Sequence, residues 1–232
     1  MNHIKNKRIQ KIIVFDLDQT LFNHNHGETS ALKFIYNTFF KPYEQNYRLF
    51  ESNFHYLNKQ SWELFEKGEL TIAETVRHRF IELSKLYNLE HISNEIFKVY
   101  TENYILNCIP FKNVDILLSK LINYGYCLAV CSNGMQYIQD SKLRHHDLSG
   151  SFSYYHYGTI VPLCKPHNQF FEGLLKSIQK KAQDVIFIGD SIYHDILPAK
   201  KLGMRYLHFN DTYLDKGILN WQLLITHIKQ IY

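Results

Sequence analysis

Proline is scarce, with five in 232 residues. No low-complexity run interrupts the chain either, which excludes a long disordered stretch. Charge of one sign is also in short supply: the formal balance is +4 and spread out. With no basic stripe interleaved with aromatics, binding to a nucleic-acid polymer is not expected. No apolar run approaches the ~18 residues of a membrane-spanning helix. The polar, basic stretch Met1 to Lys11, followed by only four apolar residues, makes no secretory signal. The four cysteines, Cys108, Cys127, Cys131 and Cys164, form no Cys-x-x-Cys pair, which argues against a zinc site or a redox couple. Cys127 and Cys131 fall within an apolar run and read as buried thiols. These absences leave a reduced, cytoplasmic protein as the expectation, without membrane contact. At 45% hydrophobic and 21% charged, the chain has a globular composition. It is long enough for one large domain, or for a core with a smaller domain.

The informative residues are polar clusters placed directly after short apolar runs. Ile12 to Phe15 reads as a strand buried on both faces of a parallel sheet. It leads into Asp16-Leu-Asp18-Gln-Thr20. Two carboxylates at a strand's C-terminal end stand where α/β folds place ligands. Held close together, they ask for a compensating charge, usually a divalent cation. Ser132-Asn133-Gly134 follows Cys127 to Cys131, Lys165-Pro166 comes next, and Gly189-Asp190-Ser191 with Asp195 follows Val185 to Ile188. An aspartate pair, a hydroxyl, a lysine and a second aspartate pair, in that order, form a phosphoryl-transfer constellation. In these motifs the chain resembles the haloacid dehalogenase-like (HAD) hydrolase superfamily, most of whose members are Mg²⁺-dependent phosphatases. The resemblance runs through the chain except its first and last few residues.

Between the first strand and about Ile109 lies a long stretch with apolar residues at helical spacing, over Ala31 to Tyr47, Tyr56 to Lys67, Thr71 to Leu86 and Ser93 to Tyr104. Gly68 reads as a helix stop and Thr71 to Glu74 as a capping box. Such a stretch is not a simple βαβ crossover and reads as a separate helical domain. The resemblance implies the same, a helical cap between the first and second motifs. From Pro110 the alternation resumes, with helices at Asn113 to Asn123, Gly134 to Leu143, Asn168 to Lys180, Ile192 to Leu202 and Trp221 to Ile231. Strands are expected at Tyr126 to Cys131, Val185 to Ile188 and Arg205 to Phe209, with an extended piece at Tyr154 to Ile160. The expected fold is α/β, a Rossmann-like parallel sheet with an inserted all-helical cap. The catalytic core would span 1–22 and 109–232, and the cap 23–108.

Each motif residue has a chemical reason to be there. Asp16 can attack phosphorus and form an aspartyl-phosphate. Asp16 and Asp190 are natural side-chain ligands for Mg²⁺, and Asp195 would hold a metal-bound water or orient the site. The resemblance adds the backbone carbonyl of Asp18 as a metal ligand. Asp18 would serve as general acid and then base, with a pKa raised beside Asp16 once the substrate phosphate is near. 2-Haloacid dehalogenases of the superfamily lack this second Asp, so its presence argues for phosphate chemistry. Ser132 and Asn133 would donate to phosphate oxygens beside Gly134 at a helix start, and Lys165 would bridge Asp16 and the phosphate. Thr20 would support the loop. His24 and His26 read as exposed hinge residues, and Phe54, Trp62 and Phe65 as cap packing with an option to stack on a base.

The motifs name a reaction and leave the leaving group open. The segments Leu57 to Trp62, Lys67 to Thr71 and Arg79-Phe80 look like the cap of the superfamily's pyrimidine 5′-nucleotidases. The resemblance therefore implies a small phosphorylated metabolite, a nucleoside monophosphate, as partner. The alternatives are a phosphoglycolate or sugar-phosphate phosphatase, a phosphomutase, and a non-enzymatic phospho-acceptor module. Oligomeric state is not legible in the sequence.

Overall fold

The structure is a computed structural model that describes residues 11–231. Residues 1–10 of the expected core segment lie outside the described residues. Strand β1 (Ile12–Phe15) is fully buried on both faces. It is flanked by β2 (Cys127–Ser132) and β4 (Val185–Gly189), with β3 (Tyr154–Tyr157) and β5 (Arg205–His208) at the edges. The order is β3-β2-β1-β4-β5, and every pairing is parallel. Register does the positioning. Phe15 pairs with Val130 on one side and Ile188 on the other. Asp16, Ser132 and Asp190 therefore emerge at the same C-terminal edge, where open parallel sheets bind ligands.

Alternate residues of the strands face opposite layers. Ile13, Phe15, Val130, Ile186 and Ile188 pack with Leu117, Leu118 and Leu121 of helix α5 (Val114–Asn123) and with Leu224 and Ile228 of the C-terminal helix (Trp221–Ile231). Ile12, Val14, Ala129 and Phe187 pack with Phe171 and Leu174 of a helix at Asn168–Ile178 on the other face. Both sheet faces are thus covered by helices, as a parallel sheet requires.

The inserted stretch forms four helices, α1 (His24–Ile35), α2 (Tyr47–Glu66), α3 (Ile72–Lys85) and α4 (Ser93–Asn107). Phe54, Phe80 and Tyr100 lie at its centre, with ring centroids 4.7 to 5.9 Å apart. The expected capping box is present, since Thr71 and Glu74 cap each other at the start of α3. The chain leaves and re-enters the sheet layer along two adjacent segments. The Asn23 N–H donates to the Ile109 carbonyl, and the Phe111 N–H to the Leu21 carbonyl, both at 2.9 Å.

Several element bounds differ from the sequence reading. Helix α1 starts at His24, not Ala31, because Asn23 caps it and its first turn is polar. It passes through a π turn (Tyr36–Phe40) and ends before Pro42. Helix α2 starts at Tyr47, two turns earlier than its apolar spacing suggests, because Asn46 accepts from the Arg48 and Leu49 N–H groups. The stretch Ile192 to Leu202 divides into a π turn (Ile192–Ile196) and α8 (Leu197–Lys201) with Pro198 in its first turn. A hairpin of β6 (Leu214–Asp215) and β7 (Ile218–Leu219) was not expected. Two residues per strand carry no readable alternation, and its Lys216-Gly217 turn takes positive φ at both positions.

Leu174 is fully buried beneath the sheet. Leu174→Ala is expected to lower unfolding stability by ~2–5 kcal/mol in urea titration, the cost of lost apolar burial and the cavity left behind.

Candidate active site

At the C-terminal edge of the sheet, the side chains fall into two charge clusters with a lysine in each. In the first, the Lys165 Nζ lies 2.6 Å from Asp16 Oδ1 and 2.7 Å from Asp195 Oδ1, and all three side chains are buried. Thr20 donates its hydroxyl to Asp16 Oδ2 and accepts the Asp190 N–H, each at 3.1 Å, so it ties two strand ends together. The second oxygen of Asp195 accepts the Ser191 N–H at 3.1 Å. Asp16, Asp190 and Asp195 each bring a carboxylate oxygen within 4.8 Å of the others. Three carboxylates against one ammonium leave a formal excess of two negative charges. At an effective dielectric of ~20, each such pair repels by ~3 kcal/mol.

The titration behaviour follows from that crowding. Burial pushes the Asp16 carboxyl up to about 7 against the pull of Lys165, with Asp195 and Asp18 adding to the rise. Burial and the charge of Asp195 also raise Asp190. Burial works against the Lys165 ammonium, but Asp16 and Asp195 outweigh it and hold its pKa above the usual lysine range. A set of hard oxygen donors with two uncompensated charges fits a divalent cation.

The second cluster centres on Asp18 and departs from expectation. Its carboxylate is not among the three clustered acids but turns toward helix α6 (Gln136–His145). There it accepts from Lys142 Nζ on one oxygen and from Gln139 Nε2 at 2.7 Å on the other. Tyr104 of α4 donates to Asp18 Oδ1 at 3.2 Å, and its hydroxyl lies 2.7 Å from His24 Nδ1. Burial raises the Asp18 pKa, but the Lys142 ammonium, His24 and the hydrogen bonds outweigh it. With these partners the carboxyl is held well below the usual range. His24 is likewise not an exposed hinge residue: it is half-buried and bonded to Tyr104, whereas His26 is exposed. Lys142 has no solvent exposure, and its ammonium lies 4.9 Å from the Phe22 ring and 5.4 Å from the Tyr104 ring.

Lys142, Gln139 and Tyr104 escaped the sequence reading. The available signal was the Gln139/Lys142 spacing, which puts both on one helix face one turn after Ser132-Asn133-Gly134.

The Ser132 hydroxyl accepts from the Gly134 N–H at 3.0 Å and from Gln139 Nε2 at 3.1 Å, which leaves its own proton to give. Asn133 has a different first task from the one expected. Its amide oxygen accepts the Lys165 N–H at 2.8 Å and its amide nitrogen donates to the Lys165 carbonyl at 2.9 Å, fixing the backbone that carries the lysine. A Cβ at Gly134 would stand 1.7 Å from Gln139 Nε2, so a larger residue there displaces the Gln139 side chain. These groups face one cleft of about 650 Å³ between the sheet edge and the inserted helices, lined on the helical side by Asn58, Trp62, Phe65, Arg79 and Tyr100.

Breaking a buried ion pair on one side leaves the other charge uncompensated. Lys142→Met is therefore expected to cost ~3–5 kcal/mol of stability. Adding Asp18→Asn to Lys142→Met should recover part of that loss, as urea titration of both variants would measure.

The family model for haloacid dehalogenase-like hydrolases matches residues 13–209. The Bacillus subtilis protein YfnB, named as a HAD-hydrolase, is 25% identical over 198 residues, covering 84% of this chain and 81% of its own. The pyrimidine 5′-nucleotidase PynA of Streptococcus pneumoniae is 23% identical, over 88% of this chain and 86% of its own. A glyceraldehyde 3-phosphate phosphatase of Methanocaldococcus jannaschii is 29% identical, but over 53% of this chain and 58% of its own. The crystal structure of YfnB, described as bound to magnesium, superimposes with a TM-score of 0.76 at 22% identity, covering 94% of this chain and 98% of that one. With the match to the family model running through both charge clusters and the helical insertion, the chain belongs to the haloacid dehalogenase-like hydrolases.

Proposed function

We propose that this hydrolase is a Mg²⁺-dependent phosphomonoesterase working through an aspartyl-phosphate on Asp16, with nucleoside 5′-monophosphates as substrates. The observation that carries the reading is the pair of charge clusters. One buried aspartate stands among acids that fit a cation, and a second, two residues on, has a lysine of its own. Asp16 and Asp190 would hold the metal through their side chains, with the Asp18 carbonyl as a further ligand and Asp195 anchoring Lys165. Bound there, Mg²⁺ supplies neutralisation of phosphate charge so that an anionic nucleophile can approach.

The protein's own residues divide the remaining work. Asp16, held by Thr20 and Lys165, is the nucleophile. Ser132 donates to a phosphate oxygen, and Lys165 spans nucleophile and phosphate. Asp18, kept ionised by Lys142 and Gln139, is a ready base for the water that hydrolyses the aspartyl-phosphate. Its acid half requires it to part from Lys142, take up a proton from solvent and give that proton to the leaving oxygen, which returns it to the ionised form that serves as base. A second carboxylate in this position supports phosphate over carbon–halogen chemistry. We assign the segment 23–108 as a cap domain that closes the cleft, and 109–231 with the first strand as the catalytic core.

The nucleotide assignment draws on the likeness to a pyrimidine 5′-nucleotidase over most of both chains. A small sugar-like phosphate is the second reading, favoured by the likeness to glyceraldehyde 3-phosphate phosphatases. No described helix is long and apolar enough to cross a membrane, and the four free thiols fit a reducing cytoplasm.

The test is phosphate release from UMP, dTMP, AMP, phosphoglycolate and hexose phosphates. Release from nucleotides that requires Mg²⁺, is stopped by a chelator and is absent in Asp16→Asn is the expected result. Asp18→Asn should lower kcat by ~10²–10⁴, the contribution of one general acid–base group. Release confined to sugar phosphates would remove the nucleotide assignment and keep the chemistry.

A further inference from the structure

On the cap side of the cleft, Arg79 lacks a partner that buried groups normally have, and the half-buried Glu28 makes no side-chain hydrogen bond among the described residues. Arg79 of α3 is nine-tenths buried. One nitrogen donates to Asn58 Oδ1 at 2.8 Å. Its Nε has no partner, and no described carboxylate lies within ion-pair distance. The guanidinium carbon sits 5.2 to 5.5 Å from the rings of Phe54, Phe80 and Tyr100, so aromatic walls hold the cation where water would otherwise be. Glu28 of α1 lines the same cleft. The nearest basic groups are His24 Nε2 at 3.8 Å and His55 Nδ1 at 3.7 Å, and neither makes a hydrogen bond to it. Glu28 and Arg79 thus line one cleft with opposite charges. Trp62 lines the same cleft, edge-on to Phe65 at 5.4 Å.

An unpaired cation calls for an acceptor, an unbonded carboxylate calls for a donor, and the Trp62 ring in the same cleft offers a stacking face. A planar group that both donates and accepts along one edge answers all three, and a nucleobase is such a group. A simple carboxylate leaving group would satisfy Arg79 but be repelled by Glu28, and a hydroxylated sugar would leave the aromatic face unused. We propose that Arg79, Asn58 and Glu28 form a base-recognition subsite, with Arg79 donating to a ring carbonyl or ring nitrogen and Glu28 accepting from a base N–H. The proposal rests on the nucleotidase reading and assigns it to named residues.

The experiment compares kcat/KM for UMP with kcat/KM for ribose 5-phosphate, which carries the same phosphorylated ribose and no base. The proteins are the full chain and its Arg79→Met, Asn58→Asp and Glu28→Gln variants. Asn58→Asp keeps the fold in place by giving Arg79 a carboxylate where an amide stood, so it decides the question if Arg79→Met fails to fold. The subsite predicts that the UMP to ribose 5-phosphate ratio is large in the parent chain and falls ~10- to 100-fold in each variant, the worth of one charged hydrogen bond. A parent that prefers UMP, with variants that keep its ratio, overturns the subsite and leaves the nucleotidase reading standing. Both substrates losing activity in parallel would mean that Arg79 only braces the cap, and also overturns it. A parent with no preference for UMP removes the nucleotidase reading and the subsite together.

Discussion

Everything at the sheet edge depends on one electrostatic constraint, that more carboxylates are packed there than the protein's own cations can neutralise. Lys165 reaches two of them, Asp16 and Asp195, at hydrogen-bond distance. The third, Asp190, stands at the end of the neighbouring strand with its pKa raised. Such an arrangement is costly without a cation, and the fold carries the cost with rigid parts. The central strand has no solvent exposure, Thr20 bridges two strand ends, and Asn133 grips the backbone on either side of Lys165. Strain of this kind, held by surroundings that leave no easy relaxation, is what a site needs if an added divalent ion and an anionic ligand are to bind together.

The second constraint separates the two aspartates of the first motif. Only one residue lies between them, yet Asp16 faces the acid cluster and Asp18 faces Lys142. The same short loop therefore offers two carboxylates in different electrical environments, which is how neighbouring acids come to do different jobs. Because Tyr104 touches Asp18, His24 bonds Tyr104, and both belong to the inserted helices, the position of those helices is linked to the state of Asp18. A change in how they sit over the sheet edge would alter the hydrogen bonds that hold it.

Much of this was legible in the chain itself. Buried parallel strands are short apolar runs, and polar residues directly after them mark the edge. Asp16, Ser132 and Asp190 could be found for that reason, and Lys165 by its place in the order of motifs, as could the helical insertion, whose apolar spacing is regular. What stayed hidden came from helix faces and long-range packing. Lys142 sits in Gln-Tyr-Ile-Gln-Asp-Ser-Lys-Leu-Arg-His-His, a run that reads as a solvated helix. Its burial exists only because α6 starts beside Asp18. The low pKa of Asp18 was missed for the same reason: adjacency in sequence suggested Asp16 as its dominant neighbour, whereas a lysine 124 positions away is. The starts of α1 and α2 were misplaced because asparagine caps, not apolar residues, set them.

The most direct test is to ask where a phosphoryl group goes. The Asp18→Asn protein, in which hydrolysis of the intermediate is slowed, would be incubated with acetyl phosphate and Mg²⁺, quenched in acid and mapped by peptide mass. The account predicts one phosphoryl group on the peptide carrying Asp16, absent when Asp16→Asn is added. Phosphate on any other residue, or continued phosphate release with none on Asp16 at any time of quenching, would contradict it.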